Sequence, residues 1–294
     1  MGKNKFFSIF RFIFFLIVNK TDIYHFFLPK SYILGGLLTI LSKKKKIMSR
    51  RSLNKYHKKY FFISLLIEKI LHTHMDLILT NSTAIKDQLV NREGVRNNKI
   101  KVIPNFITSL NIKKKKLKNK SKFIKFGYVA NFIPYKNHLN LLSICSKIDT
   151  NKKWKLLLVG SDVNGYRNIV KKEIFKLGLS ENVLLIDPKR EIDKFYNEID
   201  FSVSTSSEEG SSNFLLESIF HGLPIIAFDV GGNKDFFDKN GFLVPACDNS
   251  IMKKKIECML TSKLDKFKEN SLKVCKSKFN NKKNLKLYIS SYRL

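Results

Sequence analysis

The sequence predicts an α/β protein with parallel β-sheets, organised in two domains. Short apolar segments of four to seven residues alternate with helix-length segments along most of the chain, and this alternation is typical of parallel strands joined by crossover helices. Residues such as Gly178 and Gly222 fall where the helices are expected to stop. A stretch rich in Lys and Asn, residues 107–120, interrupts the alternation and is predicted to be a linker.

The first domain is predicted to span residues 1–106. Its helices are expected at residues 3–18, 32–41, 60–74 and 83–91, and its strands at residues 22–28, 47–49, 76–80 and 99–103. The first helix is apolar on all sides and is interrupted by Arg11. Because it is shorter than the ~20 residues of a membrane-spanning helix, we expect a buried or interfacial helix rather than a targeting segment.

The second domain is predicted to span residues 121–275 and to continue the alternation more regularly. Its strands are expected at residues 123–129, 154–159, 183–186, 201–205 and 225–228, and its helices at residues 137–148, 166–177, 191–197 and 214–221. In a sheet of this kind, ligands bind outside the carboxyl ends of the strands. The loops that follow these strands are therefore the first place to look for a site.

The chain of 294 residues has a formal net charge of +31, which would suit nucleic acid or an anionic lipid surface. Arg supplies only eight of the 55 basic residues and Lys the other 47, spread along the whole chain together with 25 Phe. Proteins that read nucleic acid usually concentrate their charge and use Arg at base edges. We therefore expect no nucleic-acid partner, and we retain a membrane surface as an additional partner.

The cysteine spacing and the motifs of the sequence bear on whether the protein binds a metal or a cofactor. The spacing of Cys145, Cys247, Cys258 and Cys275 is unlike that of metal sites and fits reduced thiols in the cytosol. No P-loop and no dinucleotide-binding glycine motif is present. The sequence therefore predicts neither a bound metal nor a resident cofactor.

The segment after the strand at 201–205 carries the strongest functional signal. Glu209 and Glu217 are separated by seven residues. Between them lie the turn residue and the helix start, namely Gly210, Ser211, Ser212 and Asn213. Backbone N–H groups at a helix start favour an anion, while the two carboxylates can accept hydrogen bonds from sugar hydroxyls. Isolated glutamates are usually solvated surface groups, but here the strand–loop–helix context favours a site for a phosphorylated sugar ligand.

Other candidate residues have competing interpretations. Lys136, in the loop after the strand at 123–129, can reach a diphosphate, although a solvated lysine is an equal alternative in so basic a chain. His138 is interpreted as a helix-start residue rather than a catalyst. His25 ends an apolar strand, where it could face a cleft between the domains or be a core histidine. Arg50–Arg51 could contact an anionic acceptor or form a basic surface pair.

At this point the residues resemble a known family. The segment Ser206–Gly232 resembles the nucleotide-sugar site of retaining GT-B glycosyltransferases of the family-four type, also called glycosyl transferases group 1. The resemblance extends through Asn240–Pro245 and includes Gly127–His138. It also covers residues 76–82 and 102–105, at the end of the first predicted domain. The resemblance implies two Rossmann-like domains. It also implies that the C-terminal segment 276–294, with its helix at 282–292, returns to the first domain.

The resemblance also implies roles for individual residues. Glu209 would contact the donor sugar and Glu217 the ribose, while Lys136 would hold the diphosphate. The backbone from Ser212 to Phe214 would cap the distal phosphate, and Pro188 and Lys189 would flank the base. Asn131 stands in the loop where the family commonly has Arg, and Phe27 where the family often has His, so His25 is carried as a second catalytic candidate. The first domain is expected to lack the β/α units with which the family's domain begins.

These observations lead to one functional expectation and two alternatives. We expect a metal-independent hexosyl- or N-acetylhexosaminyltransferase that moves a sugar from a nucleotide-diphosphate sugar to a glycan or lipid-linked acceptor with retention, in polysaccharide or lipopolysaccharide synthesis. It would act in the cytoplasm, peripherally on the inner face of a membrane. One alternative is a shortened protein that binds nucleotide sugar but is inactive or needs a partner. The other is a nucleic-acid-binding protein driven by charge.

Overall fold

The computed structural model describes residues 5–18, 21–53, 61–107, 122–188 and 192–293. Residues 108–120 of the predicted linker lie outside these ranges. The chain divides into two compact units. The first unit comprises Met1–Ile103 together with Leu285–Leu294, and the second comprises Pro104–Asn284.

The first unit is built on a four-stranded parallel sheet in the order β1-β2-β3-β4. Its strands are β1 (Ile23–Phe27), β2 (Lys45–Arg50), β3 (Leu77–Thr80) and β4 (Ile100–Val102). Its helices up to the end of β4 are α1 (Lys5–Val18), α2 (Pro29–Leu38), α3 (Phe61–His74) and α4 (Thr83–Asn91). Helix α2 starts earlier than predicted because proline is favoured in the first turn of a helix. The side chain of Ser82 caps α4 by accepting from the backbone N–H of Ile85.

The core of the first unit contains a buried charged side chain. Arg50 is 1% exposed. Its guanidinium pairs with Glu68 at 3.3 Å and with Glu93 at 3.2 Å, where both carboxylates are buried as well. Both interpretations that the sequence suggested for Arg50, an acceptor contact and a surface charge, are wrong. A buried guanidinium needs carboxylate partners, and these come from distant parts of the chain.

The second unit is built on a six-stranded parallel sheet in the order β10-β9-β8-β5-β6-β7. Its strands are β5 (Ile124–Val129), β6 (Trp154–Val159), β7 (Val183–Ile186), β8 (Phe201–Ser204), β9 (Ile225–Phe228) and β10 (Gly241–Val244). Its helices are α5 (His138–Cys145), α6 (Tyr166–Lys176), α7 (Ile192–Glu198), α8 (Asn213–Phe220), α9 (Asn249–Thr261) and α10 (Asp265–Lys278). A last helix, α11 (Asn281–Ser290), leads to the C-terminal residues that belong to the first unit.

Most elements of the second unit lie where the alternation predicts them. Three elements, β10, α9 and α10, have no counterpart among the predicted elements. Helix α10 is rich in Lys and carries few apolar positions, so its helical period is weak in the sequence. Helix α9 has a helical apolar period in Met252, Ile256, Met259 and Leu260, which the prediction did not use. Gly178 and Gly222, at φ +67° and +68°, follow α6 and α8 as the predicted helix stops. The α/β fold with two parallel sheets is confirmed.

The strand order places one edge of the second sheet in a special position. After β5 the chain moves to β6 and β7 on one side, and it then returns to β8 on the other side of β5. Parallel sheets leave a crevice at such a switch point, outside the carboxyl ends of the two strands. The loops after β5 and β8 therefore flank one crevice. The loop after β5 lies very close to Gly160, since a Cβ there would be 1.9 Å from the carbonyl oxygen of Ala130.

Candidate functional site

The two loops at the switch point bring together the predicted lysine and the first predicted glutamate. Lys136 ends a short 3-10 helix, Pro134–Lys136, in the loop after β5, and Glu209 lies in the loop after β8. The ammonium group of Lys136 is 2.6 Å from Oε1 of Glu209, and the side chains are 18% and 10% exposed. Lys136 is therefore not the solvated lysine that the sequence left as an alternative. The pair places one cation and one anion side by side at the ligand edge.

Glu209 is also held from within the core. The hydroxyl of Ser206 donates to Oε1 of Glu209 at 2.8 Å, and the hydroxyl of Tyr128 is 2.7 Å from the same serine oxygen. Tyr128 is fully buried, and burial together with the nearby charge of Glu209 raises the pKa of its phenol. Tyr128 therefore stays protonated as a hydrogen-bond donor. Neither Tyr128 nor Ser206 stands out in the sequence.

The predicted helix start follows directly. Helix α8 begins at Asn213, and the side chain of Ser212 accepts from the backbone N–H of Leu215 at 3.3 Å. The first intrahelical bond of the helix runs from Leu216 to the carbonyl of Ser212, so the backbone N–H groups of Asn213 and Phe214 precede the helical ladder. The backbone N–H groups at this end, with the helix dipole, favour an anion. The role of Gly210, Ser211 and their neighbours toward a phosphate stays a prediction.

Glu217 lies in the second turn of α8 and lines a cavity of about 250 Å³. The cavity is bordered by residues of α7 and α8 and by Ile107. The hydroxyl of Tyr196 donates to Oε2 of Glu217 at 2.6 Å. Tyr196 is fully buried, and burial, followed by the charge of Glu217, raises its pKa well above 10.0. One oxygen of the carboxylate is thus fixed by the core.

A column of aromatic rings connects the supports of the two glutamates. The ring of Tyr128 lies 5.3 Å from that of Phe214, and the ring of Phe214 lies 6.4 Å from that of Tyr196. Tyr128 supports Glu209 through Ser206, and Tyr196 holds Glu217 directly. The predicted residue Phe214 therefore acts as a buried spacer, 6% exposed, between the two supporting tyrosines.

The remaining predicted residues are placed as follows. Asn131 is exposed just after β5, and Pro188 is exposed just after β7. Lys189 lies outside the described residues. Asn105, which was not predicted as a site residue, donates from its side chain to Oδ1 of Asn213 at 2.8 Å. Asn213 is therefore held from the chain segment that precedes the predicted linker.

His25 lies in the middle of β1 of the first unit rather than at the end of a strand as predicted, and both of its ring nitrogens are hydrogen-bonded there. Nδ1 is 2.5 Å from the hydroxyl of Tyr292, and Nε2 is 2.8 Å from that of Ser49. Burial, and then the charge of Arg51, lowers the pKa of His25 to about 4. His25 is a neutral histidine near neutral pH, and its catalytic role stays a prediction.

His138 occupies the helix start that the sequence predicts, as the first residue of α5. It is fully buried between the rings of Tyr128 and Phe132, at 5.1 Å and 4.8 Å. Burial, followed by the charge of Lys136, lowers its pKa to about 4. His138 packs beside the site as a neutral aromatic residue.

One group of side chains in the described residues has the composition of a metal site. Glu68, His72 and Glu93 of the first unit each place a potential ligand atom within 4.8 Å of the others. Both carboxylates, however, already pair with the guanidinium of Arg50. The group therefore already contains a positive charge where a cation would bind.

The four cysteines are all free in the structure. Cys145 is buried in the core, and burial raises the pKa of its thiol. The reduced state of the thiols stays a prediction.

Family models match both parts of the chain. The model described as Glycosyl transferases group 1 matches residues 110–274, and the model described as Glycosyltransferase Family 4 matches residues 2–109. The first match contains Lys136, Glu209 and Glu217 and covers more than half of the chain.

Two curated relatives extend over most of the chain. The first is the N-acetylgalactosamine-N,N'-diacetylbacillosaminyl-diphospho-undecaprenol 4-alpha-N-acetylgalactosaminyltransferase of Campylobacter jejuni, which is 30% identical over 220 residues, 72% of this chain and 57% of the relative. The second is the capsular polysaccharide biosynthesis glycosyltransferase CapM of Staphylococcus aureus, which is 26% identical over 251 residues, 79% of this chain and 65% of the relative. The chain thus spans less than two thirds of the length of either relative.

Solved structures share the fold. HepE of Anabaena, crystallised in complex with UDP, superposes with a TM-score of 0.84 at 17% identity, over 96% of this chain and 81% of HepE. A glycosyltransferase from Rickettsia africae superposes with a TM-score of 0.77 at 20% identity, over 99% of this chain and 82% of that protein. The two parallel sheets are therefore those of the GT-B fold, and the family indicated by Ser206–Gly232 is confirmed by the matching family models. The chain belongs to the family of glycosyl transferases group 1.

Proposed function

We propose that this chain transfers a glycosyl group from a nucleotide-diphosphate sugar to a glycan or lipid-linked acceptor, with retention at the anomeric carbon. The observation that carries the proposal is the pair formed by Lys136 and Glu209, 2.6 Å apart beside the switch point of the second sheet. Glu217 follows on the next helix and lines an open cavity. Retention follows the resemblance to retaining members of the family and is part of the proposal.

The chemistry assigns a different task to each group. Negative charge accumulates on the diphosphate as the glycosidic bond to the donor sugar breaks. The ammonium of Lys136 and the backbone N–H groups at the start of α8 stabilise that charge. The carboxylate of Glu209 accepts a hydrogen bond from a hydroxyl of the donor sugar, and Glu217 accepts from the ribose. Because the positive charge is supplied by Lys136 and by a helix end, we propose a reaction without a metal ion.

Related proteins suggest the substrates to be tried first. HepE has been crystallised with UDP, with UDP and glucose, and with UDP-glucose. The name of the Campylobacter jejuni relative includes a diphospho-undecaprenol compound and an N-acetylgalactosaminyltransferase activity. The Staphylococcus aureus relative is named for capsular polysaccharide biosynthesis. UDP-hexoses and UDP-N-acetylhexosamines with polyprenyl-diphosphate glycans are therefore the first combination.

Thermal unfolding of the full chain with a panel of nucleotide sugars tests the donor site. A ligand that binds only the folded state raises the melting temperature, by an amount that grows with the logarithm of its concentration over its Kd. The selected donor is then offered with acceptor glycans, and the anomeric configuration of the product is read by NMR. A panel without any shift contradicts the proposal, an inverted product contradicts retention, and loss of transfer with a chelator contradicts metal independence.

Two alternatives predict different results in the same experiments. A protein that only binds nucleotide sugar, or that needs a partner chain, shows the thermal shift without transfer. A nucleic-acid-binding protein shows tight, steeply salt-dependent binding to DNA or RNA that nucleotide sugars leave unchanged. The pairing of Lys136 with Glu209, rather than with solvent, supports the donor site over the nucleic-acid alternative, and the transfer assay separates the first alternative from the proposal.

We also propose that the protein works peripherally on the cytoplasmic face of a membrane. The helices in the described part of the chain all fall short of the length and apolarity that crossing a bilayer requires. Helix α1, however, exposes Phe10, Phe14 and Val18, which are spaced four residues apart and so share one face. An apolar face of this kind lies in the headgroup boundary of a bilayer, and the basic chain favours anionic lipids.

Co-sedimentation with vesicles tests this contact. Wild type is expected to bind vesicles that contain anionic phospholipid, and the double variant Phe10→Ser/Phe14→Ser to bind much less. Circular dichroism checks that the variant is folded. Equal sedimentation of wild type and variant contradicts a role for α1.

A further inference from the structure

We propose that Tyr196, held in place by His221, is a positioning residue that aims the Glu217 carboxylate at the ribose of the donor. The inference rests on the proposed nucleotide-sugar function and deepens it, because it names the residues that determine how strictly a ribose is recognised. It starts from the hydrogen bond of 2.6 Å between the Tyr196 hydroxyl and Oε2 of Glu217.

The hydrogen bond gives the two carboxylate oxygens of Glu217 different roles. Oε2 of Glu217 accepts from Tyr196, and the structure describes no donor to Oε1. The side chain of Glu217 forms part of the cavity wall. A carboxylate fixed at one oxygen presents the other in a constant direction, which suits a hydroxyl donor on a ligand. A freely rotating glutamate would have to be ordered at the moment of binding, at a loss of affinity.

Tyr196 is itself immobilised by rings on more than one side. Its ring stacks on that of His221, with centroids 4.6 Å apart and planes at 18°. It also lies near the rings of Phe195, at 5.2 Å, and of Phe214, at 6.4 Å. A fully buried tyrosine with these neighbours has one available position. Its hydroxyl can therefore serve as a fixed reference point for Glu217.

The two ring nitrogens of His221 each lie within hydrogen-bonding distance of an acceptor, and a neutral imidazole donates to one of the two at a time. Its Nδ1 is 2.8 Å from the carbonyl oxygen of Glu217, one turn earlier in α8, and its Nε2 is 3.2 Å from a carboxylate oxygen of Asp193 in α7. The same two helices carry Tyr196 and Glu217. The imidazole therefore joins α7 to α8 on the cavity wall and holds the tyrosine between them.

This arrangement predicts a specific defect rather than a general one. Removing the Tyr196 hydroxyl leaves the ring stack in place but releases the carboxylate of Glu217. Contacts to the base and the diphosphate remain, whereas the contact to the ribose hydroxyls weakens. A tyrosine with a purely structural role would instead change stability, and it would affect ligands with and without ribose hydroxyls alike.

The test compares two ligands in wild type, Tyr196→Phe and His221→Ala by calorimetry. The first ligand is the nucleoside diphosphate that wild type binds most tightly among UDP, GDP, ADP, CDP and dTDP. If that compound is dTDP, its ribose form is used instead, so that both ribose hydroxyls are present. The second ligand is the 2′,3′-dideoxy analogue of the first. Wild type is expected to prefer the hydroxylated ligand. Tyr196→Phe is expected to lose roughly tenfold of this preference, the value of one hydrogen bond to a charged group, and His221→Ala to lose less.

Tyr166→Phe is the matched control. Tyr166 lies in α6 of the same unit and packs against the same core, away from Glu217. This variant is expected to keep the wild-type preference, and thermal unfolding checks that all variants fold. An unchanged preference in Tyr196→Phe overturns the positioning role, even where affinity for both ligands falls. Absence of nucleotide binding in wild type overturns the donor site itself, so the two failures are distinguishable.

Discussion

Replacing Lys136 by alanine is expected to weaken the binding of a nucleoside diphosphate by roughly 10- to 100-fold. Two unit charges 4 Å apart interact by about 4 kcal/mol at the effective dielectric constant of a protein surface. Loss of solvation and of the existing partner offsets part of this energy. The net value of a hydrogen bond to a charged group, about 1.5–3 kcal/mol, gives the expected range.

Glu209 determines the size of this effect. In the structure the Lys136 ammonium is 2.6 Å from Glu209, and both side chains are largely shielded from water. Alanine at position 136 therefore removes a cation and also leaves an unpaired carboxylate beside the expected diphosphate. The variant Glu209→Gln added to Lys136→Ala removes that repulsion, so the double variant is expected to bind the diphosphate more tightly than Lys136→Ala alone.

Calorimetry with a nucleoside diphosphate and with the matching nucleoside separates the charge effect from a structural one. The nucleoside has no phosphate, so Lys136→Ala is expected to leave its affinity unchanged. The exposed Lys172 in α6 provides a control. Lys172→Ala lowers the net charge by the same amount as Lys136→Ala, but at a position outside the site. An equal loss for both ligands, or an equal loss in Lys172→Ala, would refute the reasoning.

Three further outcomes follow from groups that the fold buries. Arg50→Met removes the guanidinium that neutralises two buried carboxylates and is expected to lower the free energy of unfolding by about 3–5 kcal/mol, measured with urea; a loss below ~1 kcal/mol would contradict this. Gly160→Ala places a Cβ 1.9 Å from the carbonyl oxygen of Ala130, so a lower melting temperature is expected, and an unchanged one would show that the close approach relaxes freely. Burial lowers the pKa values of His72 and His138 from 6.5 to about 4, so the unfolded chain binds more protons than the folded chain between these pH values. The free energy of unfolding is therefore expected to be highest above pH 6.5 and to fall as the pH is lowered toward 4. Equal urea midpoints at pH 7 and pH 4 would contradict this.

The sequence predicted the ligand edge of the second unit because its signals are local. Each strand and the helix after it are contiguous, and parallel strands carry their loops to the same edge of a sheet. Lys136 and Glu209 are 73 positions apart, yet each follows a predicted strand. The two strands are neighbours in the sheet, and their loops bring the two charges into contact.

The supports of the site could not be predicted in the same way. Tyr128 and Ser206 are 78 positions apart, and Tyr196 and Glu217 are 21 positions apart. Periodicity identifies the side of a strand or helix that faces the core, but it does not identify which buried hydroxyl meets which carboxylate. Arg50 shows the same limit, since its partners Glu68 and Glu93 come from α3 and from the residues after α4. A polar side chain in a periodic sequence pattern is predicted to be exposed unless its buried partner is known.

These supports make the site part of the core of the second unit. Phe214 touches Tyr128 on one side and Tyr196 on the other, so a change in its volume reaches the supports of both glutamates. Close-packed interiors transmit such changes because neighbouring rings have little free space. Variation at Phe214 should therefore alter how Glu209 and Glu217 are held without touching a ligand.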